Sequence, residues 1–280
     1  NHIIFKKSNI FFKILNDETL FLNKMSSSKF YYDSYNLENI LVSKNEIFNV
    51  PFKLIIKNDK FNKEVKSKFK SKKIRLDIEN DFSYESKVKD GLLDILFVNK
   101  STSLNYLIKE NSLNFISKDK KSFKGSMDFK PFFLKVNLNY EGLSTKDLFN
   151  EDSIITDLIK SELFNNQNLN VNINLNVNDI TNIDELDDLR LNFNLEQGDI
   201  NFSESKLRWK DDLDIVLSEG LLSYDNNEIY MVGKLVIEVN DIDDFYKSFQ
   251  IKKIYRKNIK KIALDFMYNF NKNKFQFDNV

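Results

Sequence analysis

Cysteine is absent from this chain of 280 residues, and histidine occurs once, as His2. Those two absences remove disulfides, thiolate nucleophiles and Cys/His zinc sites, and they argue against an ordinary Ser-His-Asp triad. They do not fix the compartment, because a chain without thiols is tolerated in oxidising and reducing spaces alike. Glycine is scarce, and Gly91, Gly125, Gly142, Gly198, Gly220 and Gly233 stand isolated, so neither a dinucleotide fingerprint nor a P-loop has a candidate. With 6 Gly and 2 Pro, turns must rely mostly on Asn and Asp. Charge of one sign is also missing: 42 basic residues meet 42 acidic ones, which leaves no long-range field to favour nucleic acid. No apolar run reaches 18 residues, so no segment reads as a membrane-spanning helix.

What is present is alternation. From Asn168 to Asn178, Leu169, Val171, Ile173, Leu175 and Val177 occupy the odd positions and asparagine every even one. Strand side chains point to opposite faces with a period of two, so this segment predicts a ribbon with one apolar and one amide face. At ~3.3 Å per residue it would run roughly 36 Å, longer than most strands. The pattern recurs over residues 74–84, 123–130, 134–140, 189–196, 229–239 and 262–270, with shorter candidates at 3–5, 10–15, 30–32, 52–56, 93–98, 104–108 and 207–209. Strands with one wet face belong to antiparallel sheets, since parallel sheets are covered on both sides. Polar turn clusters at 110–112, 119–121, 225–227 and 271–273 favour consecutive hairpins. The expectation is a mainly β fold, a long curled antiparallel meander sheet forming one continuous segment over 1–280.

Two segments break the period and predict short amphipathic helices. One lies near 145–164, where Ser144 or Thr145 is a candidate cap; the other near 241–250, where Ile242, Phe245, Tyr246 and Phe249 fall at i, i+3, i+4 and i+7. Both read as plugs that finish a core. Carboxylates cluster at 184–188, 211–214 and 241–244, but without the glycine-containing calcium-loop spacing and at apparent turns or helix starts, so no metal site or catalytic pair is assigned. Lysine is dense over 57–75 and 252–261; either stretch could meet anionic headgroups or phosphates, but the favoured reading of both is solvated strand edge.

Phrases such as Ser8-Asn9-Ile10-Phe11-Phe12-Lys13, Gly198-Asp199-Ile200-Asn201-Phe202-Ser203 and Ser205-Lys206-Leu207-Arg208-Trp209-Lys210 resemble the strand phrases of AsmA-like proteins, the group that includes the TamB and YhdP types. The resemblance spans most of the chain and rests on pattern rather than on an invariant motif. It implies a bacterial envelope protein in the periplasm, a piece of a longer chain held in the inner membrane by a segment upstream of Asn1. In such proteins a β-groove carries phospholipid towards the outer membrane, without enzymatic activity, cofactor or metal.

A groove of that kind needs only apolar side chains on one face. The expected contacts with phospholipid acyl chains are Leu169, Val171, Ile173, Leu175, Val177, Leu191, Phe193, Leu195, Leu235, Ile237, Leu264 and Phe266. Exposing a ~16-carbon chain to water costs about 0.8 kcal/mol per methylene, roughly 12 kcal/mol in all, and a continuous apolar face removes most of it. The same residues would equally make a sealed sandwich core. A structural factor that adds outer-membrane strands to a sheet edge is the alternative function, and a transmembrane β-barrel a third.

Overall fold

Alternation becomes strand pairing: among its described residues the computed structural model is an antiparallel meander sheet of 19 strands with one α-helix. Those residues are 2–13, 19–85, 89–97, 100–129, 131–144, 167–181, 183–225 and 228–278. The predicted helix near 145–164 lies outside them. The sheet divides into two compact units, one reaching Lys135 and joined by residues 167–169, the other formed by the strand residues from Val136 and by everything from Asn170 onward.

The first unit contains β1 (His2–Lys13), β2 (Thr19–Asp33), β3 (Glu38–Ile47), β4 (Val50–Asp59), β5 (Glu64–Ser71), β6 (Leu76–Ser83), β7 (Lys89–Phe97), β8 (Lys100–Lys109), β9 (Ser112–Ser117) and β10 (Phe123–Phe129). Each strand pairs antiparallel with the next. The sequence candidate 3–5 and residues 10–13 of the candidate 10–15 fuse into β1 across Lys7, which takes a left-handed φ of 51°; residues 14 and 15 lie outside the described residues. The lysine-rich segment 64–71 is an interior strand and not an edge, because β5 pairs with both β4 and β6. Its lysines are neutralised across the ladder: Lys66, Lys68 and Lys70 lie directly opposite Asp81, Glu79 and Asp77. Two glycines sit where aromatic rings of the next strand need room. A Cβ on Gly91 would stand 2.4 Å from the Tyr106 hydroxyl, and one on Gly125 2.6 Å from the Phe115 ring.

These hairpins rely on Asp and Asn side chains in place of glycine. Asp33 Oδ1 accepts hydrogen bonds from the N–H groups of Tyr35 (2.9 Å) and Asn36 (3.3 Å), while Asn36 Nδ2 donates to Asp33 Oδ2 at 2.9 Å. Asp59 repeats this with Phe61 and Asn62, and Asn269 accepts from Lys272 N at 2.9 Å. In each loop the residue just before the next strand is left-handed: Leu37 (φ 57°), Lys63 (φ 54°) and Asn273 (φ 48°). The Asx side chain thus holds the start of the loop, and the ladder on either side imposes the strained position on whatever residue stands there. Those same bonds, led by the Asn36 amide at Asp33 and the Asn62 N–H at Asp59, pull both carboxyls below their ordinary pKa.

The second unit contains β11 (Phe132–Leu143, from Val136), β12 (Asn170–Ile180), β13 (Leu186–Glu196), β14 (Asp199–Asn201), β15 (Ser205–Trp209), β16 (Leu213–Asp225), β17 (Glu228–Val239), β18 (Lys261–Asn269) and β19 (Lys274–Asp278). Between β17 and β18 the chain forms α1 (Ile242–Ser248), the second of the two expected helices. Asp241 caps it by accepting from Asp243 N (2.9 Å) and Asp244 N (3.0 Å). Tyr246 is its buried anchor, accepting from Lys257 N at 2.6 Å, and Phe249 lies 6.0 Å from the ring of Trp209 on β15. The core sits around Leu143, Leu175, Val177 and Ile180, with Leu138, Tyr140, Ile183, Leu186, Leu189, Leu191 and Leu207 packed against it.

Candidate lipid-contacting face

Register decides which alternating side chains share a surface. In the β12–β13 ladder Val171 faces Leu195, Ile173 faces Phe193, Leu175 faces Leu191 and Val177 faces Leu189. Directly opposed residues of an antiparallel pair project to the same side, so these eight form one apolar strip. A second strip runs across β16, β17 and β18: Ile215, Ile237 and Ile262 make one row, Leu217, Leu235 and Leu264 the next, and Gly220, Gly233 and Phe266 a third. Gly233 is obligatory, since a Cβ there would meet the Glu219 carbonyl oxygen at 2.1 Å.

The twelve expected contact residues do not share one environment. Leu169, Leu175, Val177, Leu195 and Phe266 are buried, Val177 and Leu195 to 1% exposure. Val171, Ile173, Leu191, Phe193, Leu235, Ile237 and Leu264 are half-buried. Along β12 burial alternates with local cover: Val177 packs with Leu143, Leu175 and Ile180, with Ile183 and Leu186 against that cluster, while Val171 and Ile173 stay half-buried although Leu195, directly opposite Val171, is sealed and Leu169 is buried. Phe193 meets the Phe202 ring edge-on at 5.4 Å. Three described cavities, of ≈670, ≈490 and ≈280 Å³, have none of the twelve in their walls.

The sequence pointed to Leu235, Ile237 and Leu264 but missed their neighbours Ile215 and Leu217, because β16 was not recognised. Its alternation holds from Leu213 to Leu217 and then loses phase at a register shift between Leu217 and Glu219. The five-residue signal Leu213-Asp214-Ile215-Val216-Leu217 was there to be read, although Val216 fills the position expected to be polar.

The opposite face of β12 is an amide ladder. Asn172 Nδ2 donates to Asn194 Oδ1, Asn174 Nδ2 to Asn137 Oδ1 at 3.2 Å, Asn176 Nδ2 to Asn139 Oδ1 at 2.9 Å and Asn178 Nδ2 to Glu141 Oε2 at 2.9 Å. Asparagine therefore serves pairing between strands as well as wetting the surface.

Acidic residues from the first two clusters converge on Arg208 of β15. Its guanidinium contacts Asp188 Oδ2 at 3.2 Å and Asp214 Oδ1 at 3.5 Å, while Lys206 takes Asp214 Oδ2 at 3.0 Å. Burial pushes the Asp187 carboxyl above its ordinary pKa, against the pull of Arg208. Burial acts upward on Asp214 too, but hydrogen bonds from Lys206, Asn240 and Arg208 win and hold it low. Asp212 accepts from Ser248 Oγ at 3.1 Å and ties α1 to the β15–β16 turn. Among the described residues no group of three or more His, Asp or Glu side chains is placed to hold a metal ion. No described helix is long and apolar enough to cross a membrane, which says nothing of crossing by strands.

Comparison of the chain with protein-family models, curated proteins and solved structures finds no match in any of the three.

Proposed function

We propose that this chain is a non-enzymatic envelope protein whose apolar sheet faces carry phospholipid acyl chains between bacterial inner and outer membranes, working in the periplasm from an inner-membrane anchorage outside this sequence. One observation supports the reading above the others: Val171, Ile173, Phe193, Leu235, Ile237 and Leu264 keep part of their surface open, while standing in register with apolar partners on adjacent strands. A strip of this sort offers acyl chains continuous apolar contact and asks for no acid, base or metal.

The test is lipid extraction of the purified chain followed by mass analysis, alongside transfer of labelled phospholipid from donor vesicles. Co-purifying phospholipid that Ile173→Glu displaces without loss of the fold is the expected result. No lipid on the wild-type chain, before or after incubation with vesicles, refutes the proposal.

A further inference from the structure

The ≈670 Å³ cavity lies in the first unit, over β1 to β5 at one end of their sheet. It forms where β1 turns left-handed at Lys7 and β2 slips register between Met25 and Ser27; bulges of this kind break the ladder and bend the strand. Its walls hold seven lysines and a single carboxylate, Glu46. In a chain whose formal charge is zero, that is a pronounced local excess.

Register sharpens the imbalance. Lys44 lies directly opposite Lys53, and Lys53 directly opposite Lys70, so three ammonium groups are rooted side by side on one face of three adjacent strands. Like charges placed opposite each other destabilise a sheet. Two of the cavity's lysines are relieved by carboxylates, Lys24 by Glu46 at 3.2 Å and Lys70 by Asp77 at 2.6 Å, and Lys73 donates to the Asn49 carbonyl at 3.1 Å. Lys44 and Lys53 have no side-chain partner among the described residues. One ladder further on, every lysine of β5 faces a carboxylate of β6, so this same sheet neutralises its lysines where they serve only the surface.

The geometry points to an anion site on β3 and β4 that takes a phosphate group, held by Lys44 and Lys53 with Lys70 and Lys24 at its margin. Ammonium groups on flexible stems bind phosphate as point charges, and Ser8, Asn9 and Ser26 add neutral polar groups to the wall. The depression is open to solvent and leaves room beside a bound phosphate, so it fits a phosphate ester, either a lipid headgroup or a free phosphorylated molecule. The site does not rest on the lipid-face reading, since none of the residues argued for that face lines it.

The experiment measures binding of inorganic phosphate to the full chain by calorimetry and by the melting temperature, against chloride at matched ionic strength. Vesicles of phosphatidylcholine with and without phosphatidylglycerol are sedimented with the same protein. Phosphate is expected to bind and raise the melting temperature, and Lys44→Gln/Lys53→Gln to weaken that binding about tenfold or more. Lys118→Gln/Lys120→Gln, on exposed residues outside the cavity and outside both lysine-dense stretches, should bind as the wild type does. Vesicle capture that needs Lys44 and Lys53 and is competed by phosphate assigns the headgroup; phosphate binding without capture assigns a free ester. Should neither phosphate nor phosphatidylglycerol distinguish the double variant from wild type, the site is refuted. In chloride the double variant should melt no lower than wild type, because it removes a repulsion; a lower melting temperature also overturns the proposal, and Lys53→Gln alone repeats both readings.

Discussion

Placing a glutamate at two positions of the same strand face separates an open strip from a sealed core. Val177 is 1% exposed and packed among Leu143, Leu175 and Ile180, whereas Ile173, four residues earlier on β12, is half-buried opposite Phe193. A carboxyl at 177 has no cation beside it in that cluster, so its pKa should rise by about 3–5 units and the folded state keeps it protonated; at pH 7 the loss is then set by the distance from the unfolded pKa of about 4.3, roughly 3–4 kcal/mol at about 1.36 kcal/mol per unit. That is a large fraction of the whole stability of a typical domain, about 5–15 kcal/mol. At 173 the new side chain keeps a route to water, and the loss is about half the transfer energy of an isoleucine, ~1–1.5 kcal/mol. The assay is urea unfolding followed by fluorescence of the chain's one tryptophan, Trp209, which sits in the same unit against Phe249. Val177→Glu should unfold the unit at pH 7 and regain much of its stability as pH falls through the ordinary glutamate range, because the penalty belongs to the ionised form. Ile173→Glu should stay folded at both. Equal losses at the two positions would mean that both ends of β12 are sealed, and the open-strip argument would fail.

Further outcomes follow from single contacts. Asp241→Ala removes the acceptor for two N–H groups of α1 and should cost about 1 kcal/mol, seen as a local change in Trp209 fluorescence before global unfolding. Hydrogen bonds from Lys272, Tyr230 and Asn269 hold the Glu228 carboxyl at about 2, down from 4.5. Because the folded pKa is depressed, its stabilisation is complete above 4.5 and fades as pH falls towards 2; Glu228→Gln should flatten acid unfolding in that window, and high salt should shrink the difference. Leu37→Gly relieves a left-handed residue that is 56% exposed and should stabilise the first unit by up to ~1 kcal/mol in thermal melts. A loss of that size instead would show that the Leu37 side chain, and not its backbone, matters.

Period-two patterning was enough to find β6, β10, β11, β12, β13, β17 and β18, because burying one face of a strand forces alternate residues to be apolar. The helix at Ile242–Ser248 was equally legible, since its cap and its i, i+3, i+4, i+7 stripe are local in sequence. β3, β5, β9 and β16 were not: β5 is mostly lysine on its wet face, and β16 changes phase at its register shift. The Asp-x-x-Asn loops at 33–36 and 59–62 are a repeat that composition alone hides.

Burial was the part that alternation left undecided. Val171 and Val177 are the same residue on the same face of one strand, yet only Val177 is sealed, packed among Leu143, Leu175 and Ile180, while Val171 stays half-buried opposite the sealed Leu195. Likewise Lys44, Lys53 and Lys70 are scattered in sequence and become neighbours only through register. A sequence specifies which way each side chain points along its own strand, since that is local geometry. What each side chain then meets depends on pairing between distant segments, and only the folded sheet settles it.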